Sequence, residues 1–418
     1  MCFPALVKKT MRVDFDLDAF IKRCVTRREG SLLSDDLVRH DVELCARIDG
    51  ARVLVIGGAG SIGSNYIKAL LRFNPAKLVV VDISENGLTE LTRDLRSAGK
   101  YRIPDDFVTY PVNFADRVFK KLFRKNAPFD IVANFAAHKH VRSEKDIFSI
   151  EAMIENNVIR ARELLDLMCE TPPLHFFCVS TDKAANPVNV MGASKKLMEE
   201  LILAYADRLP VKTARFANVA FSDGSLPFGF MQRLNKRQPW ACPLGIRRFF
   251  VSPGESGELC LLASIMGEIG DIVFPKLDPA RDMISFEQVA ADLLRELGME
   301  PDPCETEDEA LEKMKNIASV GIAKKWPVYF FESDTSGEKA FEEFYTPEET
   351  LDLGVFTNLG VIKNAKRRPL AEIDMIFEEL RQLFASNDNS KEKIVSALKD
   401  YLPNFSHIEK GRGLDAKM

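Results

Sequence analysis

No two cysteines in this sequence stand at C-x-x-C spacing; the eight thiols, at positions 2, 24, 45, 169, 178, 242, 260 and 304, are scattered. That pattern argues against a zinc ribbon or a disulfide framework and implies reduced thiols in the cytoplasm. Histidine is scarce, and of the five only His138 and His140 stand together, without further ligands nearby, so no metal site is expected. No uninterrupted apolar run approaches the roughly 20 residues that span a bilayer, and the N-terminus has no signal-peptide core. Positive charge is not in excess either: 57 Lys and Arg against 62 Asp and Glu leave a net charge of -5. The basic residues gather on no single face, which excludes nucleic acid as the main partner. Internal repeats and low-complexity stretches are also absent.

What is present is a chain that is 46% hydrophobic and long enough for two or three domains. From Arg52 onward, short β-branched runs (53–56, 78–81, 130–133, 175–179, 211–216) alternate with helical patterns (62–73, 86–98, 116–125, 150–169, 190–208). Continuous apolarity in the short runs suits strands buried on both faces, so the expectation is an α/β fold with a Rossmann-type, doubly wound parallel sheet. Residues 1–50 form an N-terminal helical extension. Its apolar residues Phe15, Leu17, Phe20, Ile21 and Val25, then Leu37, Val38, Val42 and Cys45 behind a Ser34-Asp35-Asp36 cap, need a cover, either the main body or another subunit. The remaining boundaries are drawn at 51–221 for the dinucleotide-binding domain, with later segments returning to it, 222–369 for a smaller substrate-binding domain, and 370–418 for a helical tail. An acidic helix opens near Glu305, its charge a solvated face.

Two stretches carry chemistry. Gly57, Gly60 and Gly63, with Ser61 and Ile62 between the last two, follow the first strand and open a helix, where a backbone can approach a pyrophosphate. A tight structural turn is the plain alternative. Asp82 ends the second strand, where a carboxylate takes ribose hydroxyls and repels a 2′-phosphate; no arginine follows at 83–85, so NAD is favoured over NADP. A helix cap is the other use of Asp82, although Ser84 could supply one equally well. The second stretch is Ser180-Thr181-Asp182-Lys183, leaving the fifth run at the sheet edge where open parallel sheets bind ligands, followed by Met191 and Lys195 on one helical face.

With Asn134-Phe135-Ala136-Ala137-His138-Lys139-His140-Val141 and Arg215-Phe216-Ala217-Asn218-Val219, these stretches resemble an extended short-chain dehydrogenase/reductase. More narrowly, the 180–189 segment before the Met191 helix resembles the nucleotide-sugar 4,6-dehydratases that act on N-acetylglucosamine in bacterial polysaccharide biosynthesis. The resemblance covers about residues 51–300 and resumes at Ser336-Gly337-Glu338-Lys339. It implies tightly bound NAD, a UDP- or GDP-linked sugar as substrate, and at least a homodimer sharing a bundle of the 150–169 and 190–208 helices.

By the same resemblance Lys183 is the base at C5, Asp182 the acid at the C6 oxygen, Thr181 a hydrogen-bond partner of O4, and Lys195 the holder of the nicotinamide ribose. Ala136 and Ala137 border the cofactor, and Lys139 and His138 line cofactor or sugar unless they merely start a helix. Asn157 is a backbone or water bridge. Asn218 and Arg248 match positions around the nucleotide diphosphate, Arg248 being otherwise a surface-loop residue. Met191 replaces the superfamily's proton-accepting tyrosine; a thioether is neither acid nor base. Within the resembling enzymes it marks the branch that retains configuration at C5. Thr335-Ser336 replaces an Arg-Pro pair. A basic role for Lys183 requires a pKa well below about 10.4, and burial beside Lys195 or Lys139 is expected to lower it. A 4-epimerase or reductase, or a non-catalytic NAD-binding protein, remain the alternatives.

Overall fold

The structure, a computed structural model, describes residues 15–139, 144, 146–320, 324–332, 341–363, 365–386 and 390–408. His140 and Val141, the 335–339 segment and the 387–389 helix break lie outside them.

The apolar runs become strands of one large sheet. In chain order these are β1 (Arg52–Ile56), β2 (Lys77–Asp82), β3 (Asp106–Pro111), β4 (Ile131–Asn134), β5 (His175–Val179) and β6 (Val211–Ala214). The short strands β7 (Asn218–Val219), β8 (Trp240–Leu244) and β9 (Arg247–Val251) follow, then β10 (Ile272–Pro275), β11 (Met283–Ser285), β12 (Glu300–Cys304), β13 (Lys325–Glu332), β14 (Thr350–Asp352) and β15 (Leu359–Lys363). The large sheet runs β14-β15-β10-β6-β5-β4-β1-β2-β3, parallel from β3 to β10, with β15 and β14 added antiparallel. Strand order reverses between β1 and β4, so a crevice opens at their carboxyl ends.

Alternate residues feed two cores: Leu54, Ile56, Val79 and Val81 on one side, Val53, Val55, Leu78 and Val80 on the other. Helices Ser61–Leu70, Glu85–Ser97 and Pro253–Met266 cover the second side. Helices Arg117–Asn126, Ile147–Met168 and Val190–Ala204 cover the first, the middle one carrying a π-helical turn at Glu155–Ile159.

The 222–369 stretch divides. β7, β9 and β11 form one small sheet and β8, β12 and β13 another, whereas β10, β14 and β15 return to the large sheet. β12, the acidic helix Glu307–Val320 and β13 fill the 301–330 region.

The N-terminal segment packs on the body. Phe20, Ile21 and Val25 enter a core with Phe221, Trp240 and Leu293, while Leu37, Leu44 and Ile48 join the large-sheet core. Arg28 holds Glu255 through two hydrogen bonds of 3.0 and 2.9 Å. The expected apolar stripe is partly the wrong face, because Val38 and Val42 are 79% and 84% exposed and Cys45 is exposed too. Leu44 and Ile48, one turn apart and in line with Leu37, form the buried seam instead. Nor does Asp36 cap its helix: it is fully buried and accepts the Thr357 and Asn358 amides at 2.5 and 2.8 Å.

Residues 370–402 form two helices, Leu370–Ala385 and Lys391–Tyr401, whose Ile373, Phe377, Leu380, Ile394 and Leu398 pack in the same core as Leu164 and Leu201. Arg162–Asp374 and Arg368–Glu200 ion pairs border this contact. The chain's own helices therefore lie against the helix pair on which the resemblance places a shared subunit bundle, and any such bundle must include or displace them.

Candidate active site

The glycine loop is shaped by close approach. Gly57 has a φ of 74°, and a Cβ there would stand 2.6 Å from the Ala136 nitrogen; at Gly63 it would stand 2.3 Å from the Gly57 carbonyl oxygen. Gly60, which caps helix Ser61–Leu70, differs: a Cβ would meet nothing nearer than the Gly57 oxygen at 3.5 Å, so space above that helix start is left open. Ser61 Oγ donates to Asp223 and accepts its amide, both at 3.0 Å, and Ile62 is half-buried beneath. Asp82 accepts the Ala59 amide at 3.0 Å and the Ser84 amide at 2.9 Å. The helix cap is Ser84, whose hydroxyl accepts the Gly87 amide.

β4 delivers Ala136, Ala137 and His138 to the opposite wall. Asn157, inside the π-helical turn, accepts the His138 amide at 2.7 Å and donates to the His138 carbonyl at 2.9 Å and to Ser194 Oγ at 3.1 Å. A π turn displaces one residue from the regular ladder, a distortion common at functional sites. Here it turns Asn157 into the tie between the cleft wall and helix Val190–Ala204. Burial lowers the His138 pKa, with Arg160 and Lys195 adding to it. Lys139 is exposed as a residue, and desolvation by the surrounding protein lowers its pKa against the pull of Asp223.

β5 ends in the reactive cluster. Thr181 Oγ1 donates to Asp182 Oδ1 at 2.6 Å, and Lys183 Nζ donates to both Asp182 oxygens at 3.3 Å. A single 3₁₀ turn, Asp182–Ala184, sets this geometry, and helix Val190–Ala204 buttresses it: a Cβ on Gly192 would stand 2.7 Å from the Lys183 carbonyl oxygen. Asn189 caps that helix by accepting the Gly192 amide. Met191 is 2% exposed and packs in the core, its amide donating to Glu144 at 3.0 Å. Lys195 is 3% exposed, donates to the Val179 carbonyl at 3.3 Å, and burial lowers its pKa to about 8.

The expected depression of Lys183 is not found. Burial alone would lower its pKa, but the carboxylates of Asp182 and Glu342 outweigh it and the pKa is raised. The two carboxylates prevail here over burial and over the nearby Arg248 guanidinium, whereas Lys195, Lys139 and, on β6, Lys212 have lowered pKa values.

The third wall comes from β6 to β9. Arg215 is fully buried and paired with Glu199 at 2.6 Å and Glu349 at 2.8 Å. Burial would raise the Glu199 pKa, but Arg215 and Lys196 bring it down to about 2, and Ser180 Oγ donates to it at 3.0 Å. Asn218 on β7 and Arg248 on β9 meet at Glu342, a residue the sequence reading did not single out. Its carboxylate accepts the Asn218 side-chain amide and, at 3.2 Å, the Phe249 backbone amide, with Arg248 Nε at 3.6 Å. Arg248 is thus a buried strand residue and not part of a surface loop. No local pattern marks Glu342, since its burial depends on strands distant in sequence.

Among the described residues no group of His, Cys, Asp and Glu could hold a metal ion, and no helix is long and apolar enough to cross a membrane.

Comparison with known proteins bears on the fold and the family. The crystal structure of Pen from Bacillus thuringiensis shares the fold, with a TM-score of 0.58 at 19% identity over 80% of this chain and 99% of that one. An uncharacterized membrane protein of Methanocaldococcus jannaschii is 32% identical over 74% of this chain and 85% of its own. The capsular polysaccharide biosynthesis protein CapD of Staphylococcus aureus is 26% identical over 87% of this chain, which spans 56% of that protein's length. The inverting UDP-N-acetylglucosamine 4,6-dehydratase of Campylobacter jejuni is 28% identical over 55% of this chain and 68% of its own. The sequence model of the polysaccharide biosynthesis proteins matches residues 53–353, most of the chain and every wall of the cleft, and the chain belongs to that family.

Proposed function

We propose that the protein is a nucleotide-sugar 4,6-dehydratase acting on an N-acetylglucosamine linked to a nucleoside diphosphate. The observation that carries the reading is the Thr181–Asp182–Lys183 cluster at the carboxyl end of β5, an acid and an amine in direct contact on the same edge of the sheet as the glycine loop, two strands away.

The loop fits a dinucleotide. The open space above Gly60 and the amides of the Ser61 helix start suit a pyrophosphate, while Gly57 and Gly63 are demanded by the protein itself. Asp82, with no arginine at 83–85, favours NAD over NADP, and Lys195 reaches the floor where a nicotinamide ribose would rest. The chemistry NAD supplies there is removal of hydride from sugar C4 and its return at C6.

The chain's own residues manage the protons. At rest Lys183 and Asp182 form an ion pair, in which the amine is no base and the carboxylate no acid. Transfer of one proton along their 3.3 Å contact gives a neutral amine and a carboxylic acid, the form favoured when a bound sugar strips water from the pair. Lys183 then takes the C5 proton and Asp182 gives its proton to the departing C6 oxygen. That elimination restores the resting ion pair; the Lys183 ammonium then protonates C5 as hydride enters C6, and the proton that O4 lost when hydride left C4 makes up for it, so the cycle as a whole neither gains nor loses a proton. Thr181, donating to Asp182, is placed beside the reacting hydroxyl. Met191 is read as the marker of retained C5 configuration, in contrast with the inverting relative.

The purified protein with UDP- and GDP-N-acetylglucosamine is expected to release one water per sugar nucleotide, read by mass spectrometry, with proton NMR at C5 reporting stereochemistry. A product of unchanged mass would indicate an epimerase instead. Lys183→Ala and Asp182→Asn are each expected to lower turnover by at least about 10²-fold, the low end for a lost general acid or base, with the circular dichroism spectrum unchanged.

A further inference from the structure

Glu342 is a buried carboxylate that the elimination does not use, set among donors beside the Asp182–Lys183 pair. It comes from the 341–346 segment, while the donors come from elsewhere in the fold: the Asn218 side chain on β7, the Phe249 amide and the Arg248 guanidinium on β9. β7 and β9 are parallel neighbours, with Asn218 opposite Phe250, so the three donors converge from one small sheet. An amide, a backbone N–H and a guanidinium aimed at one point form an anion-binding set of the kind phosphate oxygens occupy. Glu342 is 7% exposed, so its charge is not dispersed by water.

We infer that Glu342 is a resident substitute for the substrate's diphosphate: it fills the Asn218–Phe249–Arg248 cradle, and a sugar nucleotide enters only when that carboxylate is protonated. The inference rests on the reading of Asn218 and Arg248 as diphosphate contacts. The groups facing Glu342 are Asp182 and Lys183 from the turn after β5, Arg248 from β9 and Asn218 from β7. Burial, then repulsion by Asp182, raises its pKa to about 7 against the pull of Lys183, Arg248 and Asn218. Ionised Glu342 competes with an incoming diphosphate and protonated Glu342 does not, so binding takes up a proton and affinity falls as pH rises past neutrality. When only the protonated fraction is competent, the apparent Kd increases up to about tenfold per pH unit above 7.

The test is calorimetric titration of UDP-, GDP-, CDP- and dTDP-sugars, diphosphate diesters that do not titrate near neutrality, from pH 6 to 9 in buffers of differing ionisation enthalpy. Wild type is expected to take up as much as one proton on binding and to weaken with pH. Glu342→Gln, which keeps the shape and one acceptor, is expected to bind about tenfold tighter than wild type at pH 8, with the proton uptake and pH slope gone. Equal or weaker binding by Glu342→Gln with the slope retained, no proton uptake by wild type, or no binding of any diester to either protein would overturn the inference. Proton uptake requires no variant, so misfolding of Glu342→Gln leaves the test decisive. Water release reports separately on the dehydratase reading: binding that behaves as expected without it sinks that reading alone, and water release with flat binding sinks this inference alone.

Discussion

Lys195 shows what burying an ammonium costs. Its ammonium is almost wholly enclosed, with only the Val179 carbonyl and the Met198 sulfur as partners, and burial brings its pKa to about 8. Below pH 8 the folded protein carries a charge the unfolded chain holds more cheaply, a penalty of up to about 3 kcal/mol. Lys195→Met removes that charge at similar volume. It is expected to raise stability at pH 7 by roughly 1–3 kcal/mol, seen as a higher Tm, while abolishing turnover. Between pH 8 and about 10.4 the unfolded state binds more protons than the folded one, so wild-type stability rises relative to the variant and the gap closes; Tm measured against pH for both proteins checks this. Lys195 was singled out in the sequence because its spacing from Met191 matches a pattern of the resembling family, and the structure shows it to be buried. Glu342 was not singled out, because nothing local separates a buried glutamate from its neighbour Glu343. The direction of the Lys183 shift was missed because the sequence reading set it beside cations, whereas its side chain turns to the adjacent Asp182, with Glu342, far along the chain, adding to the effect.

At the level of elements, precision in the cleft comes from one helix pressed on one turn. Gly192 allows helix Val190–Ala204 to lie directly on the Lys183 carbonyl, and a Cβ would also meet Asn189 Oδ1 at 3.1 Å. Backbone cannot yield cheaply there, so Gly192→Ala is expected to tilt the Asp182–Ala184 turn and cut kcat by about 10²-fold, the cost of an ångström-scale misplacement. Gly229, in helix Leu226–Asn235, has open space where its Cβ would be, and Gly229→Ala is expected to keep full activity and gain up to about 1 kcal/mol. Parallel steady-state kinetics and melts of the two variants separate the effects. Elements buried on both faces, such as β1, β2 and β5, were readable as continuous apolar runs. β3 was not, since as an edge strand it has no fully buried residue. Helix Ser34–Ile48 was found, but the apolar Val38 and Val42 obscured which face is buried.

On the scale of the molecule, helices Leu370–Ala385 and Lys391–Tyr401 and the residues after them contribute to the core. Leu402 and Phe405 are buried with the 147–168 and 190–204 helices, and beyond them the Ser406 and Ile408 amides donate to the Pro187 and Val188 carbonyls, each at 3.0 Å. Pro187 and Val188 join the Asp182–Ala184 turn to helix Val190–Ala204, so this strap steadies the reactive cluster from behind. A protein ending at Tyr401 is expected to lose at least tenfold in turnover while still melting cooperatively. One ending before Leu370 is expected to associate or aggregate in size-exclusion chromatography, because it uncovers a continuous apolar face. These helices were legible as periodic segments, but not their seat, since a helical stripe shows that something covers it without showing what. The strap also sets a clock. A ribosome adding roughly 5–20 residues per second needs on the order of ten seconds or more to travel from Pro187 to Ser406. During that interval the strands of the sheet are completed while the Asp182–Ala184 turn lacks its support, so under the proposed function a nascent chain gains its sheet before its activity.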